Sequence, residues 1–91
     1  MTSMWSVDIG DGAKRDLAKL DAQIRERVLV KLKWFGENFD ILKPEPLHHN
    51  FRGEDKLKVG DWRVVYEIKY EYRIIFVRYV EHRSEVYKRK K

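Results

Sequence analysis

Six side chains in the second half of the chain have the types and spacing to handle a phosphodiester. Lys56 and Lys58 alternate along one run, Arg63 follows two residues beyond a Gly60-Asp61 pair, and His82, Arg83 and Tyr87 close the sequence. Alternation puts Lys56 and Lys58 on one face of a strand. Arg63 can face them from a neighbouring strand, and Arg83 and Tyr87 can fold back over the same surface. Several cations and one aromatic ring in a small area suit a phosphate and an adjacent base. A cationic group without an acidic member repels itself, which gives an anion a reason to settle there. Taken singly, Lys56 and Lys58 also read as edge-strand protection, and Tyr87 as packing.

The elements that must position these groups are legible from periodicity. The run Trp5 to Ile9 alternates and reads as a strand, ended by Gly10-Asp11-Gly12, with Asp11 as a helix N-cap. Ala13, Leu17 and Leu20 recur at helical spacing. Asp21 caps a second helix whose stripe is Ile24, Val28, Leu32 and Phe35, closed by Gly36 or Asn38. The two helices form a hairpin. Residues 39–53 form a connector in which Pro44 and Pro46 block helix continuation, and Leu42 and Leu47 anchor it to the core. From Asp55 the period becomes two. A tight turn at Gly60-Asp61 leads to a strand from Trp62 to Ile68, and Lys69-Tyr70-Glu71 turns into a strand from Tyr72 to Val80.

The expected class is α+β: an N-terminal strand, then a helical hairpin packed on one face of an antiparallel sheet whose C-terminal three strands form a meander. The 91 residues make a single domain, 1–91, with one modest core. Residues 1–49 carry eight basic and eight acidic side chains. Residues 50–91 carry twelve and seven, and so supply the whole net charge of +5. Such a bias points to a polyanionic partner. There is no cysteine, which excludes disulfide and thiolate chemistry and makes a reducing cytoplasm the easiest home. No signal peptide and no membrane-spanning run is evident. Adjacent His48 and His49, lacking further ligands, do not make a metal site. No cofactor is expected.

The residues Ala13 to Leu20, Arg25, Lys43 to Leu47, Leu57 to Tyr66 and His82 to Tyr87 together resemble the RelE/ParE superfamily of type II toxins. The block Val59-Gly60-Asp61-Trp62-Arg63-Val64-Val65-Tyr66, followed by His82-Arg83 and Val86-Tyr87, is the most specific part. The terminal Arg and Tyr resemble the RNA-cleaving RelE branch more than the gyrase-poisoning ParE branch. The resemblance implies ribosome-dependent cleavage of mRNA in the decoding A site, without a metal. It also implies neutralisation by a cognate antitoxin, with no membrane role and no specific DNA binding by the chain alone. Alternatives are a ParE-like inhibitor of DNA gyrase that acts by protein binding, and a degenerate toxin kept as an antitoxin-binding module.

In that chemistry the RNA 2′-hydroxyl attacks its own phosphate, and the enzyme manages two protons and the extra charge on phosphorus. Lys58, flanked by Lys56 and Arg63, is the expected base, because neighbouring cations favour a neutral amine. By resemblance Lys56 shares that role. Arg63 suits the phosphate clamp through its planar fork. By resemblance Arg83 lies near the leaving group, where it stabilises charge, since arginine keeps its proton. Tyr87 stacks on a base and orients the hydroxyl. His82 is an alternative general acid or a strand-end hydrogen-bonding residue. Two departures from the family pattern stand out: Trp62, expected to pack, and Glu81, expected to pair with Arg83.

Overall fold

The computed structural model describes residues 5–42 and 54–86. Leu47, His48, His49 and Tyr87 lie outside the described residues. In chain order the elements are β1 (Ser6–Ile9), α1 (Asp11–Ala18), α2 (Ala22–Glu37), α3 (Phe39–Leu42), β2 (Glu54–Val59), β3 (Trp62–Lys69) and β4 (Ile74–His82). The sheet order is β1-β4-β3-β2. β2, β3 and β4 form the expected antiparallel meander. β1, however, pairs with β4 in parallel, so the sheet is mixed. The helical hairpin makes this possible, because a parallel return needs a long crossover.

One sheet face is covered by the helices. Ala13, Leu17 and Leu20 of the first helical segment and Val28 and Leu32 of α2 pack on Val64, Val77 and Val80. Phe35 and Phe39 continue this layer over Tyr66 and Ile75. The anticipated α2 stripe is therefore the buried one. Arg25 ties the hairpin together: its Nε and Nη2 donate to the carbonyls of Leu17 (3.2 Å) and Leu20 (3.1 Å). Those carbonyls lie in the last turn of α1 and just beyond it, where helix ends leave acceptor capacity open.

Several local expectations are corrected. Gly10, not Asp11, occupies the N-cap of α1; Asp11 is its first helical residue. Asp21 does precede α2, but without a side-chain capping bond. Gly36 lies buried inside α2, and Asn38 closes the helix by donating from Nδ2 to the Trp34 carbonyl at 2.9 Å. Residues 39–42 of the expected connector form α3, and Pro44 and Pro46 lie outside the described residues. Phe39 takes that short helix's buried side, and Leu42 is 39% exposed. Tyr72 and Arg73 belong to the turn before β4; Arg73 has φ 54°.

β4 looked apolar on both faces except for its arginines, and a bulge explains why. Val65 pairs with Tyr79 and Tyr66 with Val77, leaving Arg78 as the extra residue. A bulge shifts alternation by one. It turns Arg78 out to Glu67 (3.1 Å) and keeps both Val77 and Val80 in the core. Beyond the end of β1, α1 covers the outer edge of β4. Asp16 Oδ2 accepts from the Val80 amide at 2.9 Å. A Cβ on Gly12 would stand 3.0 Å from the Arg78 carbonyl.

Candidate nucleic-acid interface

The helix-free face of the sheet carries the candidate residues in rows set by register. Lys58 lies opposite Arg63, and Arg63 opposite Glu81. One row down, Lys56 lies opposite Val65, and Val65 opposite Tyr79. Lys56 and Lys58 are exposed, whereas the alternate residues Leu57 and Val59 pack on the core. The alternation read from the sequence thus holds.

The Gly60-Asp61 turn organises the cationic end. Gly60 has φ 60°, a left-handed conformation that favours glycine and suits a two-residue hairpin turn. Arg63 Nη1 donates to the carbonyls of Gly60 (2.9 Å) and Trp62 (3.0 Å). These bonds fix the guanidinium against the turn and leave Nε and Nη2 to address a ligand. Arg83 is tied to the same turn. Its amide donates to the Asp61 carbonyl at 2.8 Å, and its Nε lies 3.6 Å from Asp61 Oδ1. That ion pair is exposed and readily screened. Arg83 therefore pairs with Asp61, not with Glu81 as expected. Lys58, Arg63 and Arg83 gather around one turn.

The return of the C-terminal segment is visible up to Val86. The His82 carbonyl accepts from the amides of Glu85 (2.8 Å) and Val86 (3.1 Å). His82 Nδ1 accepts from the Ser84 amide at 3.2 Å and lies 2.9 Å from Ser84 Oγ. This turn delivers Val86 onto Val65 and Tyr79, the row beside Lys56. His82 itself pairs in register with Trp62 on the helix-facing side, its ring edge-on at 5.2 Å. The structure thus brings Lys56, Lys58, Arg63 and Arg83 toward one end of the open face and sets His82 behind it as the organiser of the turn. Trp62 packs on the core, as expected.

The premise that no acid stands among these cations does not survive. Glu81 occupies the same row and face, directly across from Arg63. The residue types were legible in the sequence. The register that makes them neighbours was not.

A second surface lies at the opposite edge. Trp5, Val7, Ile9, Leu29, Leu32, Lys33, Gly36 and Glu37 line a groove of about 320 Å³ between β1 and α2. The amide of Ser6 bonds to the carbonyl of Arg73, just before β4, and that of Gly10 to the carbonyl of Val77 within it. In a parallel pair the intervening residues direct their backbone groups away, so Val7 and Ile9 present theirs to the groove side. No described helix is long and apolar enough to cross a membrane.

Comparison with known proteins places this geometry. The family described as ParE toxin of type II toxin–antitoxin system, parDE, matches residues 7–87. A search of curated proteins finds no match. Among solved structures, the toxin–antitoxin complex RelBE2 from Mycobacterium tuberculosis contains a similar chain, at TM-score 0.69 and 25% identity, covering 87% of this chain and 98% of that one. The isolated E. coli RelE toxin matches at TM-score 0.63 and 25% identity, covering 92% of each chain. The archaeal RelE–RelB complex from Pyrococcus horikoshii shares the fold, at TM-score 0.57 and 21% identity, over 91% of this chain and 99% of that one.

Proposed function

We propose that this chain, which belongs to the ParE toxin family of type II toxin–antitoxin systems, is a cytoplasmic endoribonuclease that cuts mRNA in the ribosomal A site. The observation that carries this reading is the assembly of Lys58, Arg63 and Arg83 around the Gly60-Asp61 turn. In this reading Arg63 clamps the phosphate while Lys58 and Lys56 neutralise the phosphorane. Arg83 steadies charge on the departing 5′-oxygen, and Tyr87 stacks on a base. Attack by the 2′-hydroxyl requires RNA and calls for no metal. His82 serves by holding the turn.

The neighbouring complexes contain RelB antitoxins, and a cognate antitoxin is the partner we assign to this chain. The β1–α2 groove offers an antitoxin an apolar trough beside an open strand edge, the two features used by helix-in-groove binding and strand addition.

A second reading is inhibition of DNA gyrase by protein binding, favoured by the match to ParE rather than RelE at the family level. The test pairs two assays. Purified protein is added to programmed ribosomes, with 5′ ends mapped, and to gyrase in a supercoiling reaction. New mRNA ends are expected, with supercoiling unaffected, and Arg63→Ala is expected to slow cutting by roughly 100-fold. Intact mRNA together with blocked supercoiling would establish the second reading instead.

A further inference from the structure

The row Lys58–Arg63–Glu81 spans three adjacent strands on the open face. Resting on the ribonuclease reading, we propose that Glu81 is the general base that takes the 2′-hydroxyl proton, with Lys58 donating to the leaving 5′-oxygen.

At neutral pH an ordinary carboxylate is already the base form, and an ordinary ammonium is already the acid form. The row offers one carboxylate, Glu81, and one amine, Lys58, on either side of Arg63. The roles follow from charge: Glu81 accepts and Lys58 donates.

Geometry favours the same division. Attacking and leaving oxygens stand on opposite sides of phosphorus in an in-line displacement, so base and acid must flank the phosphate. Arg63 is the middle member of the row, fixed by its bonds to Gly60 and Trp62. Neighbouring strands lie about 4.8 Å apart, which sets the Lys58 and Glu81 backbones about 10 Å apart across β3. That span holds one phosphoryl group over Arg63, with a hydrogen bond of about 2.7 Å on either side. Glu81 is held on this face by its neighbours in sequence. Val80 is buried and bonded to Asp16, and His82 faces Trp62.

The step balances without an added reagent. The 2′-O–H proton passes to the Glu81 carboxylate, and the 2′-oxygen bonds to phosphorus. The P–O5′ bond breaks, and its oxygen receives the Lys58 proton. The products are a 2′,3′-cyclic phosphate and a 5′-hydroxyl, with no change of oxidation state.

The plainer role for Glu81 is to offset repulsion among the cations, and the two roles differ in what Glu81→Gln does. Single-turnover cleavage is measured on saturating programmed ribosomes, with ribosome affinity and Tm measured alongside for wild type, Glu81→Gln and Glu81→Asp. The expected result for Glu81→Gln is a rate loss of at least roughly 100-fold, with affinity and Tm unchanged, and a partial recovery in Glu81→Asp. A Gln variant as fast as wild type, or faster because an unfavourable charge near RNA has gone, overturns the proposal. So does a rate loss that tracks weakened binding or a lowered Tm. A wild type that leaves mRNA intact overturns the ribonuclease reading together with this one, whereas an active wild type with an equally active Gln variant overturns only the role of Glu81.

Discussion

The two edges of the sheet are built for opposite encounters. At the β2 edge, Lys56 and Lys58 stand out into solvent. Charged side chains on an edge strand deter another strand from pairing while attracting a polyanion. At the β1 edge, Val7 and Ile9 border an apolar groove, and their backbone groups are not taken up by β4. The described strands and helices thus carry a cationic surface on one side and an apolar trough on the other. In the reading proposed above, RNA and antitoxin therefore meet different atoms of this chain.

Separating the two edges by substitution tests that division. The largest effect is expected from Lys56→Ala combined with Lys58→Ala. Cleavage on programmed ribosomes falls by roughly 100-fold or more, while calorimetric affinity for the cognate antitoxin stays within a few-fold of wild type. Loss of both activities together would collapse the distinction. Next comes Leu29→Glu, a half-exposed position on the groove wall. A charge placed against an apolar anchor is expected to weaken antitoxin binding by roughly 30-fold, equivalent to about 2 kcal/mol, and to leave cleavage intact. Unchanged affinity in that titration would move the antitoxin elsewhere.

The smallest effect concerns the sheet between the edges. Tyr66 is buried, and burial pushes its hydroxyl well above the ordinary value of 10.0, with Asp55 on β2 adding to the rise. The unfolded chain therefore releases this proton first as pH climbs past about 10. The stabilisation is complete below that pH and is lost progressively above it. Thermal melts of wild type are expected to show a fall in Tm above pH 10 that Tyr66→Phe reduces. Identical alkaline profiles in both proteins would remove Tyr66 as the cause.

Much of the fold was legible because burial imposes a period. The α2 stripe from Ile24 to Phe35, the alternation of Leu57 and Val59 with the two lysines, and the Gly60-Asp61 turn all follow from local rules. The errors lie where a distant element intervened. Of the two residues offered as the end of α2, Asn38 closes it, whereas Gly36 is buried within it against β1. Leu42 resembled an anchor, but Phe39 is the α3 residue buried in the core. Within the candidate site, the identity of the cations was evident from the sequence, but their company was not. Arg83 found Asp61 across a turn, and Glu81 came to face Arg63 through pairing that no local pattern encodes.

By itself, then, the chain determined which residues could alternate, coil or turn, because backbone geometry links each side chain to neighbours a fixed number of positions away. Only the tertiary structure decided that β1 lies parallel to β4, that a bulge at Arg78 resets the facing of β4, and that an acid stands in the row of cations. Those outcomes depend on strand register, which is fixed by packing many residues from separate segments at once.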